Sequence, residues 1–146
     1  MTMRSEVVRG ITIRPLRNGE TAAVQAVFDR LGPQSRLSRF GGAKTVLTSF
    51  DLAHLARVDS DHHVLVALVD GEPVGIARLV REGGSAEVAV EVADAWQGRR
   101  VGTLLMERLA EDARAAGIAS LRAVVGADNT ASRALMRRAA VQVSTA

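Results

Sequence analysis

The sequence contains no cysteine and no tyrosine, one lysine at Lys44, and aromatic residues at only 3% of its 146 positions. Without a thiol, disulfides, thiolate catalysis and cysteine-ligated metals are excluded on chemical grounds. The scarcity of rings and lysines removes the stacking platform and the lysine-rich tract that nucleic-acid binding draws on, so no nucleic-acid partner is expected. No apolar run approaches the roughly 20 residues of a membrane helix, the longest being Val64 to Val69, and no membrane association is expected. Met1 to Gly10 mixes polar and charged groups and lacks the apolar stretch of a secretory signal, which makes a cytoplasmic location the default.

The three histidines offer little for a metal. His62 and His63 are adjacent, so on a strand they point to opposite faces, and His54 has no companion at ligand spacing. No metal site is expected.

What the chain does have is the balance of a folded protein, 47% hydrophobic and 24% charged, at a length suited to one domain over residues 1–146. The net charge of +3 is unevenly spread: eight arginines face four acids from Gln97 onward, while the chain before it carries eleven basic and twelve acidic residues. Such a basic end suits a small anionic ligand.

The pattern along the chain alternates between sheet and helix. Gly10 to Leu16 reads as a first strand, Glu20 to Leu31 as an amphipathic helix ended by Gly32-Pro33, and Gln34 to Phe40 as a short helical piece. Thr48 and Asp51 have the form of a capping box opening a helix through Leu55, and these N-terminal helices are expected to wall an acceptor pocket. His63 to Val69, Pro73 to Val80 and Ala86 to Ala93 predict three meandering antiparallel strands, the first two joined by the hairpin signal Asp70-Gly71. A helix follows from Val101 to Ala116 with Gly117 beyond its end, then a strand over Leu121 to Val125, a helix over Asn129 to Ala139 and a short strand around Val141 and Val143. The elements predict an α/β chain built on one mixed sheet.

The stretch Gln97-Gly98-Arg99-Arg100-Val101-Gly102-Thr103 lies between a strand and the longest helix. A helix start leaves about four backbone N–H groups unpaired and carries partial positive charge, so it grips phosphate. Gly98 and Gly102 would let a diphosphate approach the amides, and Arg99 and Arg100 add charge. A P-loop is excluded because no lysine follows Gly102, and the three-glycine dinucleotide fingerprint is absent.

This segment resembles the diphosphate motif of the GCN5-related N-acetyltransferase family, Q/R-x-x-G-x-G/A, with Gln97 and Gly102 matching and Arg100 in place of the first motif glycine. The resemblance runs from Ile11 to Val143 and includes an asparagine on the last helix, Asn129. It implies a three-layer αβα fold with a mostly antiparallel mixed sheet, acetyl-CoA as cosubstrate and an amine as acceptor. It also implies that the strand before the motif splays from its neighbour after a bulge, so that the backbone of Val90, Glu91 and Val92 holds the pantetheine arm and offers an N–H to the thioester carbonyl. By the same resemblance Gln97 to Thr103 bind the diphosphate, and Asn129 and Ser132 belong to the cofactor side.

Acyl transfer needs a neutral amine, and the best base in the sequence is Glu87, acting directly or through a water. Glu91 shares its face unless the bulge turns one of them away. Three departures stand out. Arg100 is expected to keep ordinary helix-start angles and retain phosphate binding. The family's thiolate-protonating tyrosine is matched by Met136, which leaves the proton to water, to Ser132 or to no acid at all, or else marks a binding domain without turnover. Ala139-Ala140-Val141 replaces the family's Leu-Gly-Phe, and the further strand many relatives add has no counterpart, so an open sheet edge and a homodimer are expected. Pro33 to Phe40, Asp59 to His63 and Ala86-Glu87 look like the catalytic domain of bacterial protein lysine acetyltransferases, which points to a protein lysine as acceptor; a small-molecule amine and a coenzyme-binding sensor are the rival readings.

Overall fold

Two consecutive residues with positive φ close each of two tight hairpins: Asp70 and Gly71 at 51° and 79°, and Arg9 and Gly10 at 54° and 77°. Such turns match the natural twist of the strands they join. The computed structural model describes residues 4–33, 46–125 and 129–145, so the helical piece expected over Gln34 to Phe40 lies outside the described residues.

The hairpins belong to a single sheet whose seven strands lie side by side in chain order: β1 (Glu6–Val8), β2 (Ile11–Pro15), β3 (His62–Val69), β4 (Glu72–Glu82), β5 (Ser85–Val92), β6 (Ser120–Val125) and β7 (Val141–Thr145). Neighbours run antiparallel from β1 to β5 and parallel from β5 to β7, which is the mixed, mostly antiparallel arrangement expected. Among the described residues β7 is paired on its β6 side alone.

The antiparallel run has five strands rather than three, because β2, the predicted first strand, lies beside β3 and the unexpected β1 precedes it. Its three residues include only two apolar ones, and a strand that short carries no usable alternation. Besides its ladder with β2, a side chain far away in sequence ties it down. Glu6 accepts a hydrogen bond from Arg108 at 3.4 Å and the Arg4 carbonyl accepts another from the same guanidinium.

Four helices are described: α1 (Thr21–Asp29), α2 (Ser49–Leu55), α3 (Val101–Ala115) and α4 (Thr130–Arg138). The capping box of α2 forms as its sequence implies, with the Asp51 N–H donating to Thr48 and the Thr48 N–H donating to Asp51. Gly117 takes the left-handed conformation just past α3, at φ 78°.

Alternate residues of the central strands feed two cores. Val64, Val66 and Ile76 pack with Val24, Val27 and Phe28 of α1, whereas Leu65, Ala77, Leu79 and Val88 pack beneath Leu105, Met106 and Leu109 of α3. Helices therefore cover both faces of the sheet. No helix among the described residues is long and apolar enough to cross a membrane.

Candidate active site

Strand β5 has different neighbours along its length. It pairs with β4 without a break from Glu82↔Ser85 to Gly75↔Val92, but with β6 only at Ser85, Ala86 and Glu87. From Val88 to Val92 the edge facing β6 carries no strand ladder, which leaves room for an extended ligand beside β5. The expected splay is present. The bulge is not: β5 keeps its register with β4, and the irregularity of this sheet lies at Ala67 and Leu68 between β3 and β4. Continuous pairing on the β4 side satisfies the strand, and divergence of β6 alone opens the gap. Glu87 and Glu91 consequently stay on one face, the α1–α2 side, with Val88, Val90 and Val92 turned toward α3.

Beyond β5 the chain is pinned before it enters α3. The Ala93 N–H donates to Val74 and the Asp94 N–H to Arg30, and the Asp94 carboxylate accepts from the Gly32 N–H at 3.0 Å. Gln97 folds back so that its amide donates to the Val92 carbonyl at 3.2 Å, a bond that ties the motif to the open strand. The Arg99 guanidinium lies 5.1 Å from the centre of the Trp96 ring, a cation–π contact. Gly98 turns with φ 74° and has open space where a side chain would stand.

Arg100 is the N-cap of α3, and no side chain caps the helix start. The first helical bond closes from the Leu104 N–H to the Arg100 carbonyl. The preceding amides therefore form a nest suited to a diphosphate, with Gly98 leaving the approach clear. The ordinary helix-start angles expected of Arg100 are contradicted: its φ is 69°, in the left-handed region that the family's glycine enters without cost and a side chain does not. The tight passage from the Gly98 turn into α3 demands that conformation whatever residue sits there. Arg100→Gly is accordingly expected to raise stability by about 0.5–1 kcal/mol, read as a Tm increase of about 2–4 °C.

Gly102 has ordinary helical angles, and its importance lies in packing as well. A Cβ there would stand 3.1 Å from Leu135 of α4 and 3.5 Å from Val92 of β5, at the junction of three elements. Asn129 caps α4, its side-chain oxygen accepting from the Ser132 N–H at 3.2 Å. Both thus sit at the start of α4, whose Leu135 leans on the α3 entrance. Met136, in the position matched to the tyrosine, is 2% exposed and part of the α3 core.

On the opposite face of β5 two concavities meet. One is apolar, bounded by Val24, Val27, Phe28, Leu55 and Ile76, with Arg78 and Glu91 among its lining. The other is an open cleft of about 260 Å³ bordered by His54, His62, Arg78, Val80, Glu87 and Ala89. Helices α1 and α2 thus contribute to the walls. Glu87 is exposed in the cleft. His62, Val80 and Glu87 occupy one row across β3, β4 and β5.

His62 is held by Asp59, whose carboxylate lies 2.7 Å from Nδ1 and also accepts from the backbone N–H groups of Asp61 and His62 and from Arg57. The hydrogen bond to His62, followed by that to Asp61, keeps the Asp59 carboxyl well below the usual carboxylate range. The neighbouring His63 points the other way, as strand alternation requires, into the α3 core. His62 and Arg78 were missed as site residues; a charged arginine within the apolar stretch Val74 to Val80 was the available signal for the latter.

Residues 24–140 match the family model described as the acetyltransferase (GNAT) family. The acetyltransferase PA5475 of Pseudomonas aeruginosa is 36% identical over 134 residues, covering 87% of this chain and 72% of that protein. The acetyltransferase Pat of Mycolicibacterium smegmatis is 38% identical over 93 residues, 60% of this chain, which span only 28% of that longer protein. Among solved structures, the GNAT domain of S. lividans PAT superposes with a TM-score of 0.84 at 27% identity, covering 93% of this chain and 85% of that one. The Salmonella typhimurium protein yncA, solved with its cofactor acetyl-CoA, superposes with a TM-score of 0.68 at 26% identity over 89% of this chain and 78% of that one. An open strand edge beside an uncapped helix start and these relatives lead to one conclusion: the chain belongs to the GNAT family and is an acetyl-CoA-dependent acetyltransferase.

Proposed function

We propose that residues 1–146 form one N-acetyltransferase unit that passes the acetyl group of acetyl-CoA to a primary amine, the side chain of a protein lysine, with Glu87 as general base acting directly or through a water. The observation that carries this reading is the arrangement of β5, whose open edge beyond Glu87 faces the coenzyme side while Glu87 itself borders a cleft on the other. Acetyl-CoA supplies the activated thioester. The amides of Arg100 to Thr103, with Gln97, Gly98 and Arg99 around them, take the diphosphate; Val90, Glu91 and Val92 offer backbone groups to the pantetheine arm; Asn129 and Ser132 border that arm from α4. The resemblance of Pro33 to Phe40, Asp59 to His63 and Ala86-Glu87 to the catalytic domain of bacterial protein lysine acetyltransferases supports the lysine acceptor. An apolar pocket beside a carboxylate-bearing cleft suits the methylene stem and ammonium head of such a side chain.

The buried Met136 favours a second reading, a domain that binds the coenzyme without turnover. One experiment separates them. Acetyl-CoA at about 100 times its Kd raises stability by roughly 2.7 kcal/mol, seen as a higher Tm. Thiol release on adding lysine-containing peptides identifies the lysine acetyltransferase, release with small amines alone a small-molecule one, and no release with any amine but a retained thermal shift a sensor. No shift at millimolar acetyl-CoA removes both readings.

A further inference from the structure

The nitrogen of the acceptor loses two protons in the course of the reaction. It arrives as an ammonium and must shed one proton before its lone pair attacks the thioester carbon. As the C–N bond forms and the C–S bond breaks, the sulfur departs with the bonding pair and the new amide nitrogen must lose a second. Glu87, once protonated by the first, is unable to take the second until it has passed the first on. The position matched to the family's tyrosine is a methionine sealed in the α3 core, so no phenol stands there to protonate the departing thiolate.

The cleft contains a group suited to this task. His62 borders it together with Glu87, and Val80 between them pairs with both, so their Cα atoms stand two strand spacings apart, about 10 Å. Both side chains border the one cleft, where the acceptor nitrogen or a water between them would complete the path. At 2.7 Å from a carboxylate that accepts only, Nδ1 of His62 carries the ring proton. Nε2 makes no hydrogen bond among the described residues, and in that tautomer it is the nitrogen with a lone pair. The charged and titratable groups around the ring are Asp59 and Arg57 before β3, His54 of α2, Arg78 of β4 and Glu87 of β5.

Resting on the acetyltransfer reading above, we propose that His62, oriented by Asp59, is a second proton acceptor of the acceptor cleft: Nε2 takes the first proton from the Glu87 carboxyl and restores the carboxylate in time for the second. The departing thiolate receives one of the two protons and solvent the other, so charge and atoms balance over the cycle. Asp59 is the positioning residue of this pair.

Thiol release from acetyl-CoA is measured for the parent chain, His62→Gln, His62→Ala and Glu87→Gln against lysine-containing peptides, a polyamine and an aromatic alkylamine, with acetyl-CoA thermal shifts as the check on folding and binding. The expected result is a kcat lower by roughly tenfold or more in both His62 variants, with the KM for acetyl-CoA within about twofold of the parent. Added imidazole restores turnover to His62→Ala and not to Glu87→Gln. Full kcat in the His62 variants overturns the inference and leaves the acetyltransfer reading standing, and so does a loss that imidazole fails to lift. Absence of turnover by the parent with every amine overturns both.

Discussion

Glu87→Gln is expected to lower kcat by about 10²–10³ while the KM for acetyl-CoA and the acetyl-CoA-induced rise in Tm stay as they are. The separation follows from the two sides of β5. Glu87 emerges toward α2 and the cleft, while the open edge of the strand and the start of α3 lie beyond it on the coenzyme side. Replacing an exposed carboxylate by its amide keeps the shape, so stability should change by no more than about 0.5 kcal/mol. The amide has lost the ability to take a proton from an ammonium, and the loss appears in the chemical step. Steady-state thiol release at saturating amine measures it. Glu91→Gln is the paired control, because Glu91 shares the face but sits against the apolar pocket of α1; a larger fall in kcat there than at Glu87 transfers the role of base to Glu91.

What was legible in the sequence was mostly local. Asp70-Gly71, the Thr48–Asp51 box and Gly117 are each satisfied within a few residues of themselves, so their chemistry is the same in a peptide as in the fold. The strand-to-helix motif was legible for the same reason. Arg100 was misread because the left-handed turn belongs to the path between Gly98 and α3, and nothing in an arginine announces it. Strand β1 was invisible because three residues carry no usable alternation and the Arg108 side chain that ties down Glu6 stands 102 residues away. The cleft escaped for a related reason: His62, Arg78 and Glu87 come from three strands, and only the register across β3, β4 and β5 brings them to one face. Residue identity alone marked Glu87, through its place before the motif, while His62 became a candidate only when Asp59 and the row through Val80 were seen.

Asp112→Ala is expected to cost about 3–5 kcal/mol, a fall in Tm of roughly 10 °C in thermal unfolding followed by circular dichroism. On the helix alone, Arg108 and Asp112 look like an ordinary exposed pair four residues apart, which is worth about 0.3–0.5 kcal/mol. In the fold Arg108 is 2% exposed and Asp112 1%, because the β1–β2 hairpin and His63 of β3 close over them. The Asp112 carboxylate accepts from Arg108 Nε at 3.0 and 3.1 Å and is 2.8 Å from His63 Nε2. Removing it leaves a guanidinium out of water with its principal anionic partner gone, held among the described residues by Glu6 and the Arg4 carbonyl. The penalty arises from that stranded charge more than from the pair's own worth, and a second variant distinguishes the two. Arg108→Met combined with Asp112→Leu removes both charges at similar volume and should recover part of the loss, so that the two substitutions together destabilise less than Asp112→Ala alone. A double variant less stable than Asp112→Ala would instead mean that the ion pair contributes net stability and that β1 depends on it.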